Sequence, residues 1–324
     1  MSSTSKQTTA ALKGTAPQLR PYSPLKIVAP STRKQALGSL FEHLLEGNIH
    51  VVFGRFRLMR RLHGILKSIG QKSLPALRHA RLRPQTSSVV QCQSLDALAG
   101  ALCQDGVALG LKLPDDMVRT IEDHAQRAPC TRWGKRTESG ESFLIHEVNG
   151  GRLNDGRAVA IADVDQSGIA DIIDRISRDP ALLEVIRRSF GYAPSRVEKR
   201  LFWSIANNAP TPLEGDLRGV YMPSNFHYDL SGMNALYVYF YMTDASAASG
   251  AHVMIKGSHI RKPFSTLLAS RFHDDGKLLG FYGQDKALTI AGSAGTGFFE
   301  DSSCFHKGLV PIANDRLMLQ LRYY

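Results

Sequence analysis

Up to about residue 190 the apolar residues recur mostly with helical spacing; beyond 196 they come in short aromatic and β-branched runs between turn residues. Leu40, Phe41, Leu44 and Leu45 fall on one helical face, and Phe56, Met59, Leu62, His63, Leu66 and Ile69 on another. The pattern predicts one or two basic helices over 35–83. Ser94 to Cys103 reads as a short helix, 105–113 as a turn and strand, and 114–128 as a helix that opens on Pro114 and two acids, where the helix dipole favours them. Residues 129–165, rich in Gly and charge, are expected to be one long irregular stretch. Ile169 to Phe190 predicts one or two helices, interrupted at Pro180. Strands are expected at 196–206, 226–230, 235–243, 251–256, 287–291, 295–300 and 316–323. Short strands with turns between them suggest a β-sandwich or barrel with packed helices, a mainly β, α+β class. No internal repeat is visible.

Charge divides the chain. Residues 1–85 hold 15 Lys and Arg against only Glu42 and Glu46, a net +13, whereas 86–324 hold 25 basic and 27 acidic residues, a net −2. The basic excess therefore belongs to an extension, and any polyanionic partner is expected there. Its first 34 residues contain no acid and are expected to be disordered. The plain reading is a solvated tail; an acid-poor, Ser-rich organelle transit peptide is the sharper one. For 35–83 two readings stand open: helices packed on the body with their charges in water, and peripheral contact with an anionic membrane. No apolar stretch is long enough to span a membrane, and no secretory signal is seen. Cys92, Cys103, Cys130 and Cys304 form no regular spacing, which suits a reducing compartment and a cytoplasmic expectation.

The chemistry gathers in the β-rich half. In SNFHYDLSG, His227 and Asp229 stand two apart in a predicted strand, so both side chains point to one face. His306 follows the strand-like run of GTGFFEDSSCFHKG. Two imidazoles and a carboxylate on one side of an ion make the facial set of non-haem Fe(II) oxygenases, with the opposite positions left to substrates. Pro311 and Asn314 mark a turn, and a last strand begins near Arg316, ten residues after His306. A neighbouring strand returns this arginine to the metal pocket but beyond the ion, where a planar guanidinium suits the far carboxylate of a chelating diacid. Arg322 shares its strand parity and is the runner-up. His259, after Gly257 and Ser258, is the alternative distal ligand; His252 and His273 are expected at the surface or behind the ligands. A zinc site also accepts two His and a carboxylate, but it leaves Arg316 without a role.

The ordered set of His227-x-Asp229, Gly257-Ser258-His259, His306 and Arg316 resembles the phytanoyl-CoA dioxygenase family of 2-oxoglutarate oxygenases, and ALCQDGVALGLKLPDDMVRTIEDHA resembles that family's opening strand and helix. The resemblance covers roughly 94–324 and leaves 1–93 as a separate basic extension. It implies a double-stranded β-helix (a cupin-like jelly roll) with helices packed against it. It implies Fe(II) on His227, Asp229 and His306, 2-oxoglutarate on Arg316, and O₂ as oxidant, with succinate and CO₂ as coproducts. The implied substrate is a small molecule, lipid or acyl conjugate; nucleic acid is not among the expected partners. Tyr237, Tyr239 and Tyr241 share a face, ordinarily core packing, but Tyr239 and Tyr241 are candidates to line the cosubstrate pocket. Trp203, and more weakly Trp133, are candidate cavity residues. Cys304 reads as buried filler. Asp229 favours hydroxylation, desaturation or ring chemistry over halogenation. The competing classes are a metal-free binding module and a membrane-associated adaptor on the same fold.

Overall fold

Alternation along the last strand shows how the molecule is layered. In the computed structural model, which describes residues 44–133, 142–206, 225–267 and 272–324, Leu317, Leu319, Leu321 and Tyr323 point outward into one apolar cluster. Met318 points inward into another, and Arg316, Gln320 and Arg322 share its parity. Twelve strands lie among the described residues: β1 (Val107–Lys112), β2 (Cys130–Arg132), β3 (Ile161–Val164), β4 (Val197–Ser204), β5 (Phe226–His227), β6 (Leu236–Tyr241), β7 (His252–Ile255), β8 (Phe272–His273), β9 (Ala287–Ile290), β10 (Thr296–Asp301), β11 (His306–Gly308) and β12 (Arg316–Tyr323). They form a seven-stranded sheet in the order β1-β10-β6-β12-β4-β3-β2 and a five-stranded sheet in the order β8-β5-β11-β7-β9. All pairings are antiparallel. The strands β4, β6, β10 and β12 are contiguous in the large sheet, and β5, β7, β9 and β11 in the small one. The chain crosses between the sheets to place them so, which is the double-stranded β-helix, a jelly roll.

The largest cluster lies outside the large sheet. Leu236, Val238 and Phe240 of β6 join the outer residues of β12 there, under Ile121 and Ala125 of α5 (Asp115–Arg127), Ile173 and Ile176 of α6 (Ala170–Ser177) and Leu182 and Ile186 of α7 (Pro180–Phe190). Each such aliphatic side chain contributes about 1.5–3 kcal/mol on full burial. A second outer cluster backs the small sheet: Phe226, Tyr228, Val253, Ile255 and Phe305 meet Leu278 and Leu279 of α9 (Asp275–Tyr282). The largest share of apolar burial therefore lies on the outer faces, and the chamber between the sheets mixes a smaller aromatic and Met-lined cluster with polar groups. Trp203 belongs to the outer cluster, its indole N–H donating to Ala125 O at 3.4 Å, so it does not line the chamber as expected.

The stretch expected to be irregular is more ordered than its composition suggests. Within 129–165, β2 and β3 extend the large sheet at its edge, and a 3-10 turn covers Ile145–Glu147. These strands are three and four residues long, too short to leave a periodic trace. Residues 134–141 lie outside the described residues.

The first 43 residues, including the segment expected to be disordered and Leu40 and Phe41, also lie outside them. Three helices follow: α1 (Ile49–Phe53), α2 (Arg57–Ser73) and α3 (Pro75–His79). The residues that α2 buries are Gly64 and Gln71 and not its leucines. A Cβ on Gly64 would come within 3.2 Å of Phe190 O, and Gln71 bonds both the N–H and the C=O of Ala193, at 3.0 and 2.7 Å. Leu58, Leu62, Ile65, Leu66 and Ile69 are consequently exposed. No helix among the described residues is long and apolar enough to cross a membrane.

Beyond α3 the chain is laced into the body. Asp179, fully buried, caps α7 through Ala181 N and Leu182 N at 2.8 and 3.4 Å, and also receives Ser88 Oγ, Val89 N and Val90 N at 2.8, 2.7 and 2.9 Å. One carboxylate thus satisfies five donors from two segments. Asp179→Ala removes a helix cap and strands buried N–H groups, each a loss of about 1–2 kcal/mol. Urea unfolding of this variant is expected to show a stability loss of about 3 kcal/mol; an unchanged midpoint would contradict the account.

Candidate metal centre

Two short strands bring the candidate ligands together. His227 and His306 are direct cross-strand partners in β5 and β11. Phe226 and Tyr228 point out to the cluster behind the small sheet, so His227 and Asp229 point into the chamber. Asp229 is held by its own N–H, which donates to Ser302 O at 2.8 Å. Nε2 of His227 lies 4.0 Å from Asp229 Oδ1, and Nε2 of His306 lies 4.0 Å from Asp229 Oδ2. One donor atom from each of the three residues falls within 4.8 Å of the others.

The tautomers are set by the backbone. His227 Nδ1 is 2.8 Å from Asn225 O, and His306 Nδ1 is 3.0 Å from Cys304 O. A carbonyl only accepts, so each Nδ1 carries a proton and Nε2 is the atom left to face Asp229, with a lone pair in the neutral imidazole. Ser258 fixes the approach to β11: it donates to Ile255 O at 2.7 Å and accepts from Phe305 N at 2.8 Å. The Gly-Ser-His turn therefore serves as a tether. His259 in that turn contacts Cys103 O and Cys304 Sγ, at 3.1 and 3.4 Å, and is not part of the ligand group. Gly106, at φ 74°, lies against it; a Cβ there would come 2.2 Å from Cys304 Sγ.

Behind the ligands stands a residue that the sequence did not single out. Glu300 is fully buried on the inner face of β10, with Oε1 3.1 Å from His306 Nδ1 and Oε2 2.6 Å from His252 Nε2. These contacts are short but not aligned as hydrogen bonds, so the coupling is electrostatic. Burial pushes the Glu300 carboxyl up to about 8, against the pull of His306. Burial lowers His306 to about 4 and His252 to about 3, which keeps both imidazoles neutral at pH 7. His252 is buried and not at the surface. Its signal was available: His252 and Glu300 are polar residues at inward positions of predicted strands.

Arg316 is 4% exposed. It pairs in register with Ser204 and donates Nη2 to Ser204 Oγ at 2.8 Å. Its Nε and Nη1 have no partner among the described residues. Gly308, two residues beyond His306 on β11, faces it; a Cβ there would lie 3.8 Å from Nη2. Arg322 is engaged otherwise, donating Nε to Gln320 Oε1 at 2.9 Å and lying 5.4 Å from the Tyr237 ring centre. Tyr239 accepts from Gln320 Nε2 at 2.6 Å and packs on Phe298 and His252, with ring centres 5.1 and 5.2 Å apart. Tyr241 donates to Ile290 O at 2.8 Å and accepts from His252 N at 3.0 Å, so its hydroxyl ties the two sheets together. Cys304 is buried, and burial pushes its thiol up to about 12.

No family model matches the sequence, and no curated protein matches it. Among solved structures, the chain is similar to the alpha ketoglutarate dependent epimerase SnoN from nogalamycin biosynthesis, at 16% identity and a TM-score of 0.43, covering 71% of this chain and 82% of that one. It is also similar to AviO1 from Streptomyces viridochromogenes Tue57, at 14% identity and a TM-score of 0.45 over 72% and 96% of the two chains. A third is HygX from Streptomyces hygroscopicus with nickel and 2-oxoglutarate bound, at 12% identity and a TM-score of 0.44 over 72% and 87%.

His227→Ala, Asp229→Ala and His306→Ala are each expected to weaken Ni(II) binding at least tenfold in a calorimetric titration, and His259→Ala to leave it unchanged. The reverse result for His306 and His259 would reassign the distal ligand. Buried histidines also set a pH dependence in the metal-free protein. Burial lowers His252, His306 and His273, the last to about 4, so below pH 6.5 the unfolded chain binds protons that the folded chain refuses. Raised Glu300 opposes this by holding a proton that the unfolded chain releases above pH 4.5. Burial lowers His63 and His259 as well, and Glu122 and Asp315 rise with Glu300, so among the described residues five histidines against three carboxyls leave a net uptake on unfolding. The urea midpoint should therefore fall as pH drops from 6.5 to 4.5; a flat profile would contradict neutral burial.

Proposed function

We propose that the protein is a mononuclear non-haem Fe(II) oxygenase of the phytanoyl-CoA dioxygenase type, which couples the oxidation of 2-oxoglutarate by O₂ to hydroxylation of a small-molecule, lipid or acyl-conjugate substrate. One observation carries the reading: two imidazoles and a carboxylate on the small sheet face, across the chamber, a buried guanidinium of the large sheet that has two unused donors among the described residues. Gly308 lies two residues from His306, about 7 Å along the strand at about 3.3 Å per residue. That is the scale of a five-carbon diacid with one end at the ligands and the other at Arg316.

The donor set fits a divalent first-row metal, since two imidazoles and one carboxylate leave positions open to other ligands. Bound there, Fe(II) supplies O₂ activation and the chelation of a 2-oxo acid. The remaining work belongs to the chain. Asp229 contributes the negative charge, and its presence favours hydroxylation over halogenation. His227 and His306 present Nε2 lone pairs without first losing a proton. Arg316 receives the far carboxylate in its planar fork, with Gly308 leaving room for it. Phe298, Met254 and Met318 form an apolar lining that excludes water. Tyr239 keeps its hydroxyl proton beside this lining, because Gln320 Nε2 occupies only its oxygen.

Succinate release that requires Fe(II), 2-oxoglutarate and O₂ together tests the reaction class. Arg316→Ala removes a charge-assisted pair worth about 1.5–3 kcal/mol. The dissociation constant of the Ni(II)-loaded protein for 2-oxoglutarate should rise tenfold or more, with nickel content unchanged. An unchanged constant for Arg316→Ala beside a raised one for Arg322→Ala would transfer the role to Arg322.

A further inference from the structure

Asp229 also lines a cleft of about 500 Å3 that opens beside the ligands. This is within the size range of small-molecule sites. One wall is the first two turns of α2, which contribute Arg57, Arg60, Arg61 and Ile65; Arg188 comes from the last turn of α7. The opposite wall is Gly232, Met233, Asn234 and the Asp301–Ser303 turn.

The arginines are not equivalent. Arg188 is already neutralised by Glu184 and Asp96. Arg60 is fixed by two backbone carbonyls, Gly54 O at 2.9 Å and His259 O at 3.0 Å; it makes no salt bridge among the described residues, although its charge helps hold the Asp301 carboxyl below the usual range. Arg57 has no salt bridge among the described residues. Burial and the like charges of Arg61 and Arg60 lower its guanidinium, only partly offset by Asp301. Three guanidinium groups thus crowd five residues, facing Asp301 and an Asp229 whose charge belongs to the metal. The start of α2 adds to the excess: Phe56 offers no side-chain cap and the first turn contains no acid. Such crowding is unfavourable in the empty protein and favourable around a multiply charged anion. A single carboxylate is satisfied by one planar fork, whereas a phosphate or diphosphate presents oxygens in several directions.

We propose that this cleft seats a phosphate-bearing group of the substrate, held by Arg57, Arg60 and Arg61, while the carbon to be oxidised reaches past Asp229 into the chamber. The oxidised-carbon half of this statement rests on the oxygenase reading; the anion site does not. The phosphate has two possible sources, a soluble molecule and a lipid headgroup. The second is raised by Leu58, Leu62, Leu66 and Ile69, which are exposed on the same helix.

The test uses the full-length protein, freed of metal with a chelator, and the double variant Arg57→Ala/Arg61→Ala. These two side chains carry no fold-holding hydrogen bond among the described residues, and relief of like-charge crowding should leave the melting temperature of the variant equal to or above that of the wild type. Inorganic pyrophosphate is titrated calorimetrically, and flotation is run with phosphatidylglycerol and with phosphatidylcholine vesicles. Pyrophosphate binding that weakens tenfold or more in the variant supports a soluble substrate. Failure to bind pyrophosphate, with flotation on phosphatidylglycerol alone that the variant loses, supports a headgroup. No binding in either arm, or binding that the variant leaves intact, overturns the proposal. The two readings fail separately: pyrophosphate binding without 2-oxoglutarate binding to the Ni(II)-loaded protein removes the oxygenase and keeps the anion site, and the reverse removes only the anion site.

Discussion

A buried guanidinium with no carboxylate against it among the described residues is the constraint around which the chamber is arranged. Arg316 remains charged at any ordinary pH, and burial disfavours that charge. Serine alone cannot compensate it, and the nearby Tyr239 and Tyr241 are neutral phenols, shifted further from ionisation by burial. The fold tolerates this because its apolar clusters lie mostly outside the sheets, under α5, α6 and α7 on one side and α9 on the other. A protein that kept its main core between the sheets would have no room for so many polar side chains at its centre.

The gathering of the candidate ligands was more legible in the sequence than their surroundings. His227 and Asp229 were legible because strand alternation is a local rule, and Arg316 because a turn and a strand predicted its return. The outward face of Trp203 was not, since parity relative to the chamber needs the register with β12. His252 and Glu300 each lay in a predicted strand, but their meeting depends on β7 and β10 belonging to different sheets, which no local pattern encodes. Strand β11, three residues long, left no trace at all.

The helix α2 shows how a local pattern can point the wrong way round. Its leucines and isoleucines mark one apolar face, and the ordinary expectation is that this face is buried. The observed helix docks through Gly64 and Gln71 instead, because the partner surface at Phe190 and Ala193 offers backbone groups, which ask for close approach and for an amide. The segregation of charge was visible in composition, but its location was not. The basic segment leads from α2 through Leu82 and Gln85, whose N–H groups donate to Pro194 O and Arg178 O, into the large sheet at Gln91 and Lys112. An apparent appendage is thus part of the wall around the ligands.

The two-residue strand β5 has a consequence for how the protein tolerates change. His227 is held in place by one partner on either side, His306 and Phe272. Alternation leaves no intermediate setting: a shift of one residue would turn Phe226 and Tyr228 inward and both ligands outward. The meeting of His227, Asp229 and His306 at this strand is therefore all or none. Displacing the pairing by a single step would take His227 and Asp229 out of the chamber and leave a jelly roll with a greasy interior.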